Sequence, residues 1–134
     1  MAQLTASELE SSRRYHRARA AARHSERESV RADWLIRVRI GVTKIAPCFP
    51  DLRAVYLFGG LAKSSRFHAQ SDIDLAVEAD SVEDESAFWA AMERALQRPC
   101  DVRPLIGPIR TAVAHDGILL YERKTNASDQ QHSQ

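Results

Sequence analysis

Residues 57–77 read LFGGLAKSSRFHAQSDIDLAV, and the fold turns on the two ends of this stretch. At its start, the apolar run Ala54 to Phe58 is closed by Gly59 and Gly60, which is the pattern of a buried strand entering a tight turn. At its end, Ile73, Leu75 and Val77 alternate with Asp72, Asp74 and Glu78, the period-two signature of a half-buried strand. Asp72 and Asp74 therefore share one face of that strand, about 6–7 Å apart along the backbone. Like charges held this way repel each other unless a cation lies between them. A hard ion such as Mg²⁺ favours carboxylate oxygen and commonly sits on one or two carboxylates plus substrate phosphates. Glycine lets the backbone approach a phosphate closely, and Lys63, Ser64, Ser65 and Arg66 place cationic and hydroxyl donors in the same loop.

Downstream, Phe88, Trp89, Met92 and Leu96 space a helix over about 83–97, and its acidic opening suits the positive end of the helix dipole. Cys100 to Ile106 reads as a strand that Pro104 pushes towards an edge or a strand end. Ile109 to His115 reads as a short helix stopped at Gly117, Ile118 to Tyr121 as a last strand, and residues 124–134 as a disordered polar tail. Upstream, Trp34, Leu35, Val38, Val42 and Ile45 fall on one helical face, so a helix over about 30–46 is expected to dock on the body. Before it lies an exposed helical arm, opened by a capping box between Ser7 and Glu10, with a weaker helical signal over Ser25 to Ser29. The order predicts an α+β fold: a small mixed sheet with helices on one face, plus the N-terminal arm. The division expected is 1–49 for arm and docked helix, 50–123 for the domain and 124–134 for the tail.

The chain has 134 residues, 44% hydrophobic and 28% charged, which suits one globular domain and excludes a collagen-like or wholly disordered chain. No apolar run approaches the roughly 20 residues that span a bilayer, and the first residues lack a secretory core, so a cytoplasmic protein without membrane contact is expected. Two cysteines 52 positions apart support no disulfide framework. The net charge of +1 is a cancellation: residues 1–44 carry ten Lys/Arg against five acids, while the remainder carries nine against thirteen. A +5 arm is attached to a −4 body.

Phe58-Gly59-Gly60, eleven intervening residues and then Asp72-Ile73-Asp74-Leu75 resemble the signature of the nucleotidyltransferase superfamily related to DNA polymerase β. Asp101 lies where that family carries a third carboxylate on a later strand. The segment from Ala114 to Glu122 is similar to the close of its minimal nucleotidyltransferase (MNT) subgroup. In that subgroup Ser is commoner than Gly60, Arg is commoner than Lys63, and the spacing is usually ten. The resemblance, over about residues 52–123, implies a polymerase β-like fold and an enzyme that transfers a nucleoside monophosphate, AMP from ATP, to a hydroxyl. It implies two Mg²⁺ ions on Asp72, Asp74 and Asp101, and the β/γ-phosphates of the triphosphate cradled by Gly59, Gly60, Lys63 and Ser64. It further implies an antitoxin role beside a small helical HEPN-type toxin, which the transferase would silence by AMPylation of a tyrosine. A tRNA or a small hydroxylated acceptor, or a catalytically degenerate binding module of the same fold, are the alternatives.

Other residues invite plainer readings. Arg66 and His68 are expected to be solvated loop residues, His115 a helix-end residue, and Cys48 and Cys100 small buried ones. Trp34, Phe88 and Trp89 are read as core aromatics. The arm has only Tyr15 for stacking, so a protein-binding role is favoured over RNA contact, which its arginines also admit. The sequence leaves open a homo- or hetero-oligomer.

Overall fold

The computed structural model describes residues 5–63, 67–68 and 70–124. The elements run α1 (Ala6–Ile45), a 3-10 turn (Ala46–Cys48), β1 (Leu52–Phe58), a second 3-10 turn (Gly59–Leu61), β2 (Ile73–Ala79), α2 (Val82–Leu96), β3 (Cys100–Pro104), α3 (Gly107–Asp116) and β4 (Ile118–Glu122). One mixed sheet has the strand order β3-β2-β1-β4. β1 is antiparallel to both β2 and β4, whereas β2 and β3 are parallel and joined by the α2 crossover. β3 is thus an edge strand and Pro104 its last residue, a position where the missing N–H breaks no central ladder.

The predicted alternation along β2 decides the layering. Ile73, Leu75 and Val77 join Val55, Leu57 and Val102 beneath Val38 and Val42 of α1 and Phe88 and Met92 of α2. Phe88 and Met92 are fully buried, and their removal from water contributes about 3–6 kcal/mol towards docking α2. The intervening residue Ala76 belongs instead to a second cluster with Leu105, Val113, Tyr56, Phe58 and Ile109. α1 and α2 therefore cover one face as the pattern predicts, while the short α3 meets the opposite face. Asp74 shares the strand parity of Ala76 and so faces the α3 side of the sheet.

α1 departs from the expectation of an arm and a separate docked helix. It is one helix of 40 residues, about 60 Å long. No Gly or Pro interrupts the chain from Ala6 to Ile40, and serines at 25 and 29 lose no more than about 0.7 kcal/mol each relative to Ala, too little to break a helix that continues on both sides. The capping box also starts two residues earlier than read from sequence. Thr5 Oγ1 accepts from the Glu8 amide at 3.1 Å, and the Glu8 carboxylate accepts from the Thr5 amide at 2.9 Å. Residues 5–27 are exposed throughout, so their helix rests on propensity, capping and local pairs such as Arg19 over Tyr15.

Two plainer readings need correction. Cys48 is exposed rather than buried, because it closes a surface 3-10 turn; Cys100 is buried. Trp89 is 36% exposed because it lies one residue off the face of α2 that Phe88 and Met92 bury, while its indole N–H donates to the Cys100 carbonyl at 2.7 Å. No helix among the described residues is long and apolar enough to cross a membrane. The tail from residue 125 lies outside the described residues.

Candidate active site

The acidic residues meet where the sheet register brings them together. β2 and β3 pair in parallel with Asp74 opposite Asp101, and β1 places Phe58 opposite Asp74 on the other side. Adjacent strands lie about 4.8 Å apart, so two carboxylates from neighbouring strands stand side by side on one face. Asp72 precedes Asp74 by two residues and completes the group. β3 is held in place from α2: Glu93 accepts the Cys100 amide at 2.9 Å while Trp89 binds the Cys100 carbonyl. Asp101 therefore follows a residue whose amide and carbonyl are both anchored.

The Gly59 turn opens directly onto this group. Gly59 has φ +73°, a left-handed conformation that side-chain-bearing residues rarely adopt. A Cβ there would collide with the Asp74 carboxylate. Two independent constraints thus demand glycine at 59, and one of them is the acid itself. Gly60 lies outside the left-handed region.

Electrostatics follow from this packing. Partial burial, then the charges of Asp101 and Asp72, push Asp74 from its ordinary 3.8 up to about 6, against a smaller opposing pull from Arg103. Arg103 Nε donates to the Asp101 carboxylate at 3.0 Å. Lys63 Nζ pairs with Asp116 at the end of α3, also at 3.0 Å. His68 is exposed, as expected of a loop residue, and Ser64 and Arg66 lie outside the described residues.

The donor set fits a divalent cation: oxygen ligands only, mutually repelling, beside a turn that leaves no room for a Cβ. Among the described residues, however, no three such groups converge tightly enough to form a closed metal cage. The Coulombic coupling reaches across all three acids, while Asp101 is turned towards Arg103. An ion held by these carboxylates would take the rest of its ligands from water or phosphate oxygens.

Three arginines escaped the sequence reading. Arg103 is legible in retrospect as Asp-x-Arg on one strand face. Arg31 donates to the Leu61 and Ala62 carbonyls at 3.0 and 3.2 Å, and Arg98 donates to the Ser71 and His68 carbonyls. These pairs are 27 to 31 positions apart, and no periodicity announces them.

Residues 42–126, more than half of the chain, match the family described as "Polymerase beta, Nucleotidyltransferase". Among curated proteins, no sequence matches the chain. A solved toxin–antitoxin complex with AMP-PNP shares the fold at 24% identity and TM-score 0.54, covering 69% of this chain and 78% of the other. A mutant of the toxin–antitoxin pair MntA-HpeT, with two aspartates two positions apart changed to glutamate, aligns at 22% identity and TM-score 0.54 over the same shares.

Proposed function

The chain belongs to the polymerase β nucleotidyltransferase family, and from that membership we propose that it moves AMP from ATP onto a hydroxyl of a partner protein, as the antitoxin of a toxin–antitoxin pair. The observation that carries the reading is the Gly59 turn pressed against Asp74, with Asp101 in register beside it. A glycine turn packed against a carboxylate group suits a metal-bound triphosphate better than a solvated strand face, where nothing would forbid a Cβ at 59.

The roles follow from position. Gly59 and Gly60 admit the β/γ-phosphates to the backbone, and Lys63 and Ser64 supply a cation and a hydroxyl. Lys63 must exchange Asp116 for phosphate, a small expense because the pair is exposed. Asp72, Asp74 and Asp101 would hold Mg²⁺, which when bound would neutralise triphosphate charge and favour ionisation of the acceptor hydroxyl. The acceptor oxygen attacks the α-phosphorus in line, the bond to the bridging oxygen breaks and pyrophosphate leaves. The hydroxyl proton passes to the carboxylate group. Catalysis is positioning and charge neutralisation, with no histidine base.

ATP as donor and a toxin as acceptor are supported by the shared fold with a toxin–antitoxin complex holding AMP-PNP; the HEPN type of that toxin rests on the family resemblance alone. The long exposed half of α1 supplies a surface to recruit the acceptor. A second reading, an RNA acceptor, is favoured by one feature of that helix: residues 11–25 carry five arginines and no acid. The test is incubation of the purified chain with Mg²⁺, α-labelled ATP, tRNA and the protein encoded beside it. Label on the partner, absent with Asp72→Asn, supports the first reading. Label on RNA alone supports the second, and no label on either refutes both.

A further inference from the structure

Arg98 is the one charged side chain that is buried among the described residues, 9% exposed. α2 ends at Leu96, Gln97 adopts a left-handed conformation (φ 49°), and the reversed chain turns Arg98 inward. Its guanidinium lies between two aromatic rings, 4.6 Å from the Trp34 centroid and 4.8 Å from that of Phe67. Nε donates to the Ser71 carbonyl at 3.0 Å, and Nη2 donates to the His68 carbonyl at 2.9 Å and to Ser71 as well. The carbonyl of the next residue, Pro99, accepts the Ile73 amide at 3.2 Å. Residues 98 and 99 thus hold the backbone on both sides of Asp72, and the same segment runs on into Asp101. The relative placement of two acids is set by one short stretch.

A matching contact holds the other end of the loop. Arg31 of α1, with its side chain only 16% exposed, donates to the carbonyls of Leu61 and Ala62, where the Gly59 turn ends. Trp34, which stacks on Arg98, lies about one helical turn further along α1. Filling the space between Trp34 and Phe67 needs only an apolar side chain. What a guanidinium adds is a planar fork of donors able to bind two carbonyls at once, which neither a hydrocarbon nor a lysine reproduces.

We propose that Arg98 and Arg31 are positioning residues of this site, Arg98 fixing Asp72 relative to Asp101 and Arg31 fixing the glycine turn that receives phosphate. The proposal rests on the nucleotidyltransferase reading above. It assigns different kinetic consequences to the two arginines, because one supports the metal-holding acids and the other the nucleotide cradle.

The experiment compares Arg98→Lys, Arg98→Met and Arg31→Gln with wild type, and uses Arg37→Ala as control, since Arg37 stacks on Trp34 at 4.9 Å without holding the loop. Both Arg98 variants are expected to lower kcat and raise the Mg²⁺ concentration for half-activity by about 10-fold or more, because small displacements of reacting groups are costly. Arg31→Gln is expected to raise the KM for MgATP about 10-fold and leave kcat within about 3-fold. Arg37→Ala changes neither. Amide hydrogen exchange of the metal-free proteins gives a readout independent of activity: Arg98→Lys accelerates exchange at Ile73, and Arg31→Gln at Ala62 and Lys63, while the amides of β1 and α2 keep their protection. Wild-type kinetics in Arg98→Lys together with unchanged exchange at Ile73 would overturn the proposal. Loss of protection across the whole chain would overturn it too, by making Arg98 a general stability residue. A wild type that binds no nucleotide with Mg²⁺ refutes the functional reading, and local exchange at Ile73 then decides the positioning role alone.

Discussion

Replacing Gly59 by alanine probes the contact on which the site depends. The left-handed backbone at φ +73° costs an alanine about 1–3 kcal/mol, if nothing else changes. The added Cβ would also meet the Asp74 carboxylate, so the carboxylate or the turn must shift. Gly107→Ala separates the two effects: Gly107 has φ +55° and open space where the methyl would stand, hence a backbone cost without a collision. For a chain of this size each kcal/mol lowers the melting temperature by about 3–5 °C, so Gly107→Ala should lose roughly 3–15 °C and Gly59→Ala more than that. Nucleotide affinity separates them further. Gly59→Ala should lose at least about 10-fold in affinity for MgATP, since the cradle and an acid both move, while Gly107→Ala retains the wild-type value. Melting by circular dichroism and calorimetric titration of MgATP provide both readings. A Gly59→Ala protein no less stable than Gly107→Ala and with undiminished affinity would refute the geometry.

Three further outcomes are expected. Asp74, raised to about 6, favours the metal-free fold when protonated; that contribution is full below about 4 and fades as pH rises through about 6, while Mg²⁺, which needs the carboxylate, should bind about 10-fold more weakly at pH 5 than at pH 7 by titration. Deleting residues 1–25, whose described part contributes nothing to the core, should leave the melting temperature within about 3 °C and preserve MgATP binding, while transfer to the partner in the labelling assay falls. Gly60→Ser adds the hydroxyl that the MNT resemblance implies here, at a position outside the left-handed region, and should tighten MgATP binding about 3-fold.

The legible parts of the fold are those with a period. Ile73, Leu75 and Val77 alternate because one face of β2 is buried, and that alternation alone puts Asp72 and Asp74 together. Phe88 and Met92 announce α2 through spacing, and Pro104 announces the strand end. α1 defeats the same logic because weak local propensity at Ser25 to Ser29 looks like a boundary, whereas only a breaker or a cap is one. The second face of the sheet stays hidden because α3 presents few apolar residues, Ile109 and Val113 among them, too short a pattern to reveal which side it covers. In the site, Asp101 opposite Asp74 is a matter of strand order, which the family resemblance implies and periodicity cannot. Arg31 and Arg98 are beyond reach for a different reason: a guanidinium bound to main-chain carbonyls leaves no mark on the residues that accept it.

Gly59, Asp74 and Asp101 are proposed to form one metal-nucleotide site. Calorimetric titration of ATP into the full chain, with and without Mg²⁺, for wild type and Asp74→Asn tests it most directly. Saturable heat is expected in wild type that requires Mg²⁺ and vanishes in Asp74→Asn while the fold is retained. Equal binding by both proteins, or binding that ignores Mg²⁺, would contradict it.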